Sequence, residues 1–251
     1  MSTKPAYLFT LLSEVDSTNN YAMAQAHAGL AEHGQAFFAL QQTEGKGQRG
    51  KSWYSGAGEN IALSIVLAPQ SLAVSKQFRL SMAVALGCYR FFKKFAGDET
   101  SIKWPNDIYW RDRKAGGILI ENVIGKNEAG PLWKFAIAGI GLNINQVHFH
   151  DALPNPVSLK QITGKAFSPQ VLARELQLAV LDSVHQLTTI PFSQLQQQYN
   201  NTLYKINQPV LLKKGNIIFE TTIKGVTPEG LLHTTDLVDN YFNFGEVEWV
   251  K

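Results

Sequence analysis

The chain has one cysteine, Cys88, among 251 residues. An internal disulfide is therefore excluded, and the thiol's place in an apolar run marks it as inert core. Long hydrophobic runs are also missing. Each apolar stretch is interrupted well before the roughly 18 residues that a membrane span needs. The opening MSTKPAYLFT has no apolar run ahead of a cleavage site, so no signal peptide is expected. A soluble cytoplasmic protein is the expectation. Charge is scarce: 17% of residues are charged and the formal net charge is +3, too small a balance for general nucleic-acid binding. There are no internal repeats and no low-complexity linker. What is present is an apolar fraction of 45%, enough for a substantial core. The length suits one large domain, or one domain with a small companion.

The basic residues that do occur are concentrated. Residues 45–53 read GKGQRGKSW, with Gly45, Gly47, Gly50, Lys46, Arg49 and Lys51 in a row that ends on Ser52 and Trp53. Glycines let backbone N–H groups converge into an anion-binding concavity, and the cations add charge to it. Gly45, Gly50, Lys51 and Ser52 fit the P-loop string, and Gly45, Gly47 and Gly50 fit the dinucleotide string. Both patterns require a helix directly after the loop, whose N-terminus receives the phosphate. Here residues 52–58 read SWYSGAG, a poor helix start, and residues 60–68 read NIALSIVLA, a buried strand. No acidic residue stands about 20 positions on to hold a ribose. Strand, basic loop, strand is neither a P-loop nor a Rossmann unit.

Elsewhere the pattern alternates strands and helices. Residues 8–12 and 35–42 read as strands. Between them, Asp16-Ser17-Thr18-Asn19 caps a helix that runs to about Ala28. Apolar residues at helical spacing fill 75–95, and 168–187 reads as a helix with Ser168 as cap and Pro169 at its first position. A further helix covers 191–201, and strands cover 107–110, 116–123 and 132–140. From about Asn207 the texture changes to short strands (210–213, 217–226, 231–234 and 241–250) separated by tight turns. Two domains are expected, residues 1–206 and 207–251.

A second unusual string is Lys103-Trp104-Pro105-Asn106-Asp107. A strand lysine between Ile102 and Trp104 points away from both, into solvent or into a site.

Five motifs in order carry a resemblance: Asp16-Ser17-Thr18-Asn19, then Gln42 ahead of the glycine loop, then the KWPND string, then Lys114-Ala115-Gly116-Gly117, then Gly139-Ile140-Gly141-Leu142-Asn143. Together with the C-terminal β module, this order resembles the biotin protein ligase family. The resemblance implies an α+β fold: a mixed β-sheet flanked by helices, like the class II synthetases, with a small C-terminal SH3-like β-barrel. It implies a two-step reaction. Biotin and Mg²⁺-bound ATP give biotinyl-5′-adenylate and pyrophosphate, and a lysine of a biotin carboxyl carrier protein then takes the biotinyl group and releases AMP. It also implies residue roles. Lys103, with Arg49 and Lys46, would offset the charge of carboxylate and phosphate. Ser17, Thr18, Asn19, Gln42, Gly45, Lys46, Gly47, Trp53, Lys103, Gly116 and Gly117 would bind biotin. Arg49, Gly50, Lys51, Trp53, Asn106 and Asn143 would bind the nucleotide. No protein ligand for Mg²⁺ is assigned. The family allows a homodimer joined through the central sheet.

The chain departs from the family's GRGRRGR loop at Lys46, Gln48 and Lys51. Gln48 removes a charge, and lysine lacks arginine's bidentate grip on phosphate, so weaker retention of the adenylate is expected. The C-terminus lacks the basic residue that often follows the last strand of relatives, which puts contacts from the barrel to the adenylate in doubt. The DSTN motif begins at residue 16, leaving no room for the DNA-binding winged helix of some relatives, so no operator binding is expected. His148, His150 and Asp151 suggest a metal site, since residues i and i+2 of a strand share a face, but no third spaced ligand accompanies them and a polar loop is the expectation. The rival readings are a lipoate or octanoate ligase or transferase, which shares the fold, and a non-catalytic nucleotide-binding module.

Overall fold

Successive strand residues face opposite sides of a sheet, so a strand buried at every position needs cover on both faces. That requirement sets the layers. The computed structural model describes residues 7–69, 72–127, 130–151 and 153–250. The first sheet comprises β1 (Phe9–Val15), β2 (Ala36–Gln42), β3 (Ile61–Leu67), β4 (Thr100–Lys103), β5 (Asp107–Trp110), β6 (Arg113–Asn127) and β7 (Gly130–Leu142). Its spatial order is β1-β2-β3-β7-β6-β5-β4; β1 and β2 are parallel and every other neighbouring pair is antiparallel.

All of β3 is buried. On one face, Val66 packs with Phe37 and Ile137 against Ala22 and Ala26 of α1 (Thr18–His27). On the other, Ile65, Phe38 and Ala138 meet the helices α2 (Gln77–Ala96) and α4 (Pro169–Thr189). These two helices cross closely at Gly87, where a Cβ would stand 2.6 Å from the Val180 Cα. Ser168 caps α4 through the Val171 N–H, with Pro169 in its first turn, as the sequence signals. A short helix α3 (Leu159–Thr163), absent from the sequence reading, carries a full capping box between Ser158 and Gln161. Helix α5 (Phe192–Asn201) leads into the second sheet.

That sheet contains β8 (Pro209–Lys214), β9 (Ile217–Val226), β10 (Leu232–Thr235), β11 (Asp239–Phe242) and β12 (Glu248–Trp249), in the order β11-β10-β9-β8-β12. The class is α+β, with a mixed sheet flanked by helices and a separate antiparallel sheet at the C-terminus. Leu212, Ile223, Leu232 and Phe242 of the second sheet are continuous with the main core. Trp104 joins the two sheets: its indole N–H donates to the Gly230 carbonyl at 3.0 Å, and its ring meets Phe244 edge-on.

One strand expectation is corrected. Residues 241–250 are not a single strand: β11 ends at Phe242, and β12 moves to the opposite edge, pairing with β8. The intervening turn is fixed by Gly245, at φ +82°, and by Glu246, whose carboxylate accepts the Asn243 N–H at 2.9 Å.

Candidate active site

A cavity of about 920 Å³ opens between the first sheet, the glycine loop and the second sheet. Of the predicted site residues, Ser17, Thr18, Asn19, Gln42, Lys46, Gly47, Arg49, Lys51, Trp53, Lys103, Asn106, Gly117 and Asn143 line it, and Gly45, Gly50 and Gly116 do not. Gly116 is turned to the other side of β6, where a Cβ would meet the Leu142 side chain at 2.3 Å.

The polar floor starts at α1. Ser17 stands at the N-cap position but makes no capping hydrogen bond with its side chain. Gln42, at the end of β2, accepts from the Thr18 N–H at 2.8 Å and lies 3.0 Å from Thr18 Oγ1. Ser64 Oγ, buried in β3, lies 2.8 Å from Thr18 Oγ1 and 2.6 Å from Asn19 Oδ1. Asn19 in turn donates to the Glu121 carboxylate at 2.7 Å. Buried polar groups of this kind stay in place because each lost partner leaves an unsatisfied atom. Ser64 was not foreseen, although it is the one polar residue in the strand IALSIVL. Apolar wall is supplied by Ala62, Leu119 and Ile140.

No helix follows the glycine loop. It turns through a single 3-10 turn at Gln48–Gly50, with Arg49 in the left-handed region at φ 57°, and runs on toward β3. Backbone bonds close it: Gly47 N–H to the Lys51 carbonyl at 2.7 Å and Trp53 N–H to the Gly45 carbonyl at 2.8 Å. The Trp53 ring lies on Gly141 of β7, where a Cβ would be 2.4 Å from the indole. Two buried atoms of the loop, Trp53 Nε1 and Gln48 Oε1, have no partner among the described residues. The cations diverge. Lys46 donates to Asn20 Oδ1 at 2.5 Å, beside Asp16. The Asn20 amide and the Ser17 N–H hold the Asp16 carboxyl below its usual range. Arg49 instead crosses to the second sheet, 5.8 Å from the Phe244 ring centre.

Lys103 ends β4 and faces three rings. Its ammonium lies 4.8 Å from the centre of Tyr109, 5.5 Å from Tyr204 and 4.9 Å from Trp249, and it donates to Tyr109 Oη at 3.3 Å. Burial, and then the nearby Asp107 and Asp112, push the Tyr109 hydroxyl above its ordinary range, so it stays neutral. Asp107 pairs with Lys114 at 2.7 Å in the same wall. Asn106 and Asn143 spend their amides on the backbone: Asn106 donates to the Ile118 carbonyl at 2.7 Å and Asn143 to the Val157 carbonyl at 3.1 Å. They hold the cavity's frame. His150, in the polar loop after β7, stacks on Tyr54 with ring centres 5.8 Å apart.

Residues 11–131 match the Biotin/lipoate A/B protein ligase family. The Biotin--[acetyl-CoA-carboxylase] ligase of Paracoccus denitrificans is 30% identical over 229 residues, covering 88% of this chain and 92% of that protein. This chain belongs to the biotin protein ligase family. It is also 27% identical to the bifunctional ligase/repressor BirA of Escherichia coli K12, over 88% of this chain and 67% of that protein. Among solved structures, the Aquifex aeolicus biotin protein ligase in complex with biotin and ATP superposes with a TM-score of 0.79 at 22% identity, covering 97% of this chain and 99% of that one. That likeness shows that the family fold is kept. The family's motifs fall on the walls of one cavity here, while Ser64, Tyr109, Tyr204, Phe244 and Trp249 join the site from positions no motif marks.

Proposed function

We propose that this chain attaches biotin to a lysine of a biotin carboxyl carrier protein, using ATP. In the first step a carboxylate oxygen of biotin bonds to the α-phosphorus, and the bond to the β-phosphate oxygen breaks, releasing pyrophosphate. In the second the neutral ε-amine of the carrier lysine bonds to the acyl carbon, AMP leaves, and the amide forms with loss of a proton. The observation that carries this reading is one cavity with an apolar wall, a hydrogen-bonding floor and Arg49 and Lys103 among its lining cations. A bicyclic ureido acid needs the wall and the floor. Trp53 Nε1 and Gln48 Oε1, buried and without a partner among the described residues, leave the loop with hydrogen-bonding capacity that its own fold does not use.

The first step brings two anions together. An ammonium about 4 Å from them stabilises the arrangement by about 4 kcal/mol at an effective dielectric near 20. Lys103 takes that role as an electrostatic group rather than a base. Arg49 and the loop amides from Gly45 to Gly50 assist at the phosphates, with Lys46 at the loop's entrance. Mg²⁺ enters with ATP as part of the substrate. Among the described residues no group of three or more His, Cys, Asp or Glu side chains is placed to hold a metal ion, and phosphate oxygens and water suit the ion. Residues 1–206 form the catalytic unit in this reading, and 207–251 its companion. No described helix is long and apolar enough to cross a membrane, and an ATP-consuming reaction fits the cytoplasm.

The test is transfer. Incubated with biotin, Mg·ATP and a biotin carrier domain, the protein should add one biotinyl group to a single lysine, read by mass spectrometry. No mass gain with biotin, or gain with lipoate or octanoate in its place, would refute the assignment.

A further inference from the structure

The C-terminal module reaches two cations of the cavity, Arg49 and Lys103, with aromatic rings. Phe244 lies beneath the Arg49 guanidinium, and Trp249 faces the Lys103 ammonium. For Lys103 the rings form a series: Tyr109 and Tyr204 have centres 5.2 Å apart, and Tyr204 and Trp249 5.5 Å. Each member is anchored. Tyr109 belongs to β5, Tyr204 donates to Asp112 at 2.6 Å, and Trp249 pairs through its backbone with Leu212 of β8.

We infer that Trp249 is a positioning residue for Lys103, closing an aromatic cage that fixes the ammonium where carboxylate and phosphate meet. The inference rests on the function proposed above. A lysine at a strand end has a four-carbon stem with many rotamers, and Ile102 and Trp104, facing the core, do nothing to restrict it. Rings attract an ammonium to their faces. The rings hold the ammonium near the Asp112 carboxyl, whose pKa is lowered by the Tyr204 hydroxyl first and, in smaller part, by the Lys103 charge. The C-terminal sheet thus contributes by aiming a cation that the first sheet supplies.

Three variants test this. Trp249→Leu should lower kcat for biotin-dependent ATP–pyrophosphate exchange about tenfold, equivalent to about 1.4 kcal/mol. Its KM for biotin should change by less than about twofold, since the loss falls on the step rather than on ground-state binding. Trp249→Phe keeps a ring and should stay within about twofold of the wild type on the same measure. The direct readout is the ε-methylene resonance of Lys103 in ¹³C-lysine-labelled protein, identified by its loss in Lys103→Arg. The rings should shift it upfield in the wild type and in Trp249→Phe, and Trp249→Leu, which keeps Tyr109 and Tyr204, should move it back toward its ordinary position. An unshifted resonance in the wild type, or a leucine variant with wild-type kcat, would overturn the inference. Should Trp249→Leu fail to fold by circular dichroism, the resonance in the wild type and Trp249→Phe decides alone. A wild type without biotin-dependent exchange would instead refute the proposed function, and the resonance would still judge the cage.

Discussion

Gly141→Ala adds one methyl group to β7 at the point where the Trp53 ring rests. The backbone at 141 lies outside the left-handed region, so alanine suits the strand itself. The difficulty is the ring: the new Cβ would lie 2.4, 2.6 and 2.8 Å from three indole carbons. Carbon atoms in contact prefer about 3.5–4.0 Å, so the ring must move by about 1 Å or more. An indole cannot bend, and its backbone N–H is tied to the Gly45 carbonyl at 2.8 Å. Either the sheet distorts or the glycine loop lifts. β7 is paired along both edges, with β3 and with β6, whereas the loop is closed by a few backbone bonds. The loop should give way. Overpacking costs about 1–3 kcal/mol, and if the loop absorbs it the loss appears in binding, as a rise of about 5- to 150-fold in KM for biotin. The assay is biotin titration in pyrophosphate exchange, with a thermal melt alongside. The reasoning predicts a raised KM at a nearly unchanged Tm. A wild-type KM with a strongly lowered Tm would place the strain in the sheet and refute it.

Other expected outcomes follow from the same geometry. Lys103→Ala removes the charge valued at about 4 kcal/mol, so exchange should fall about 10³-fold while the circular dichroism spectrum stays native; near-normal exchange would remove Lys103 from the chemistry. Ser64→Ala deletes the hydroxyl within 2.8 Å of Thr18 Oγ1 and 2.6 Å of Asn19 Oδ1. Urea unfolding should show about 1–3 kcal/mol of lost stability, and an unshifted midpoint would contradict the network. Gln48→Arg restores a charge to the loop and should slow release of biotinyl-adenylate in a chase experiment; an unchanged off-rate would show that Gln48 has no part in retention.

Local signals were legible because their physics is local. Ser168-Pro169 opens α4 as read, and the glycines and aromatic residues after Lys51 correctly exclude a helix behind the phosphate-type loop. Strand parity could have separated Gly116 from Gly117, since neighbours in a strand face opposite sides, and it could have marked Ser64 as a polar group aimed at α1. The capping box at Ser158 was equally readable. The C-terminal turn was harder. The run from Tyr241 to Val250 is rich in strand formers around Asn243 and Gly245, and the long-range pairing of Glu248 and Trp249 with β8 completes the division that those two turn residues begin. The cage around Lys103 lay beyond reach for a similar reason. Tyr109, Tyr204 and Trp249 come from three separate stretches of chain, and nothing in their spacing brings them together.

The most direct test of the account is isotope exchange between pyrophosphate and ATP, measured with purified protein and each candidate acid in turn. Biotin should drive exchange, and the quenched reaction should contain biotinyl-5′-adenylate, while lipoate and octanoate leave ATP unlabelled. Exchange that ignores biotin, or that answers to lipoate instead, would contradict it.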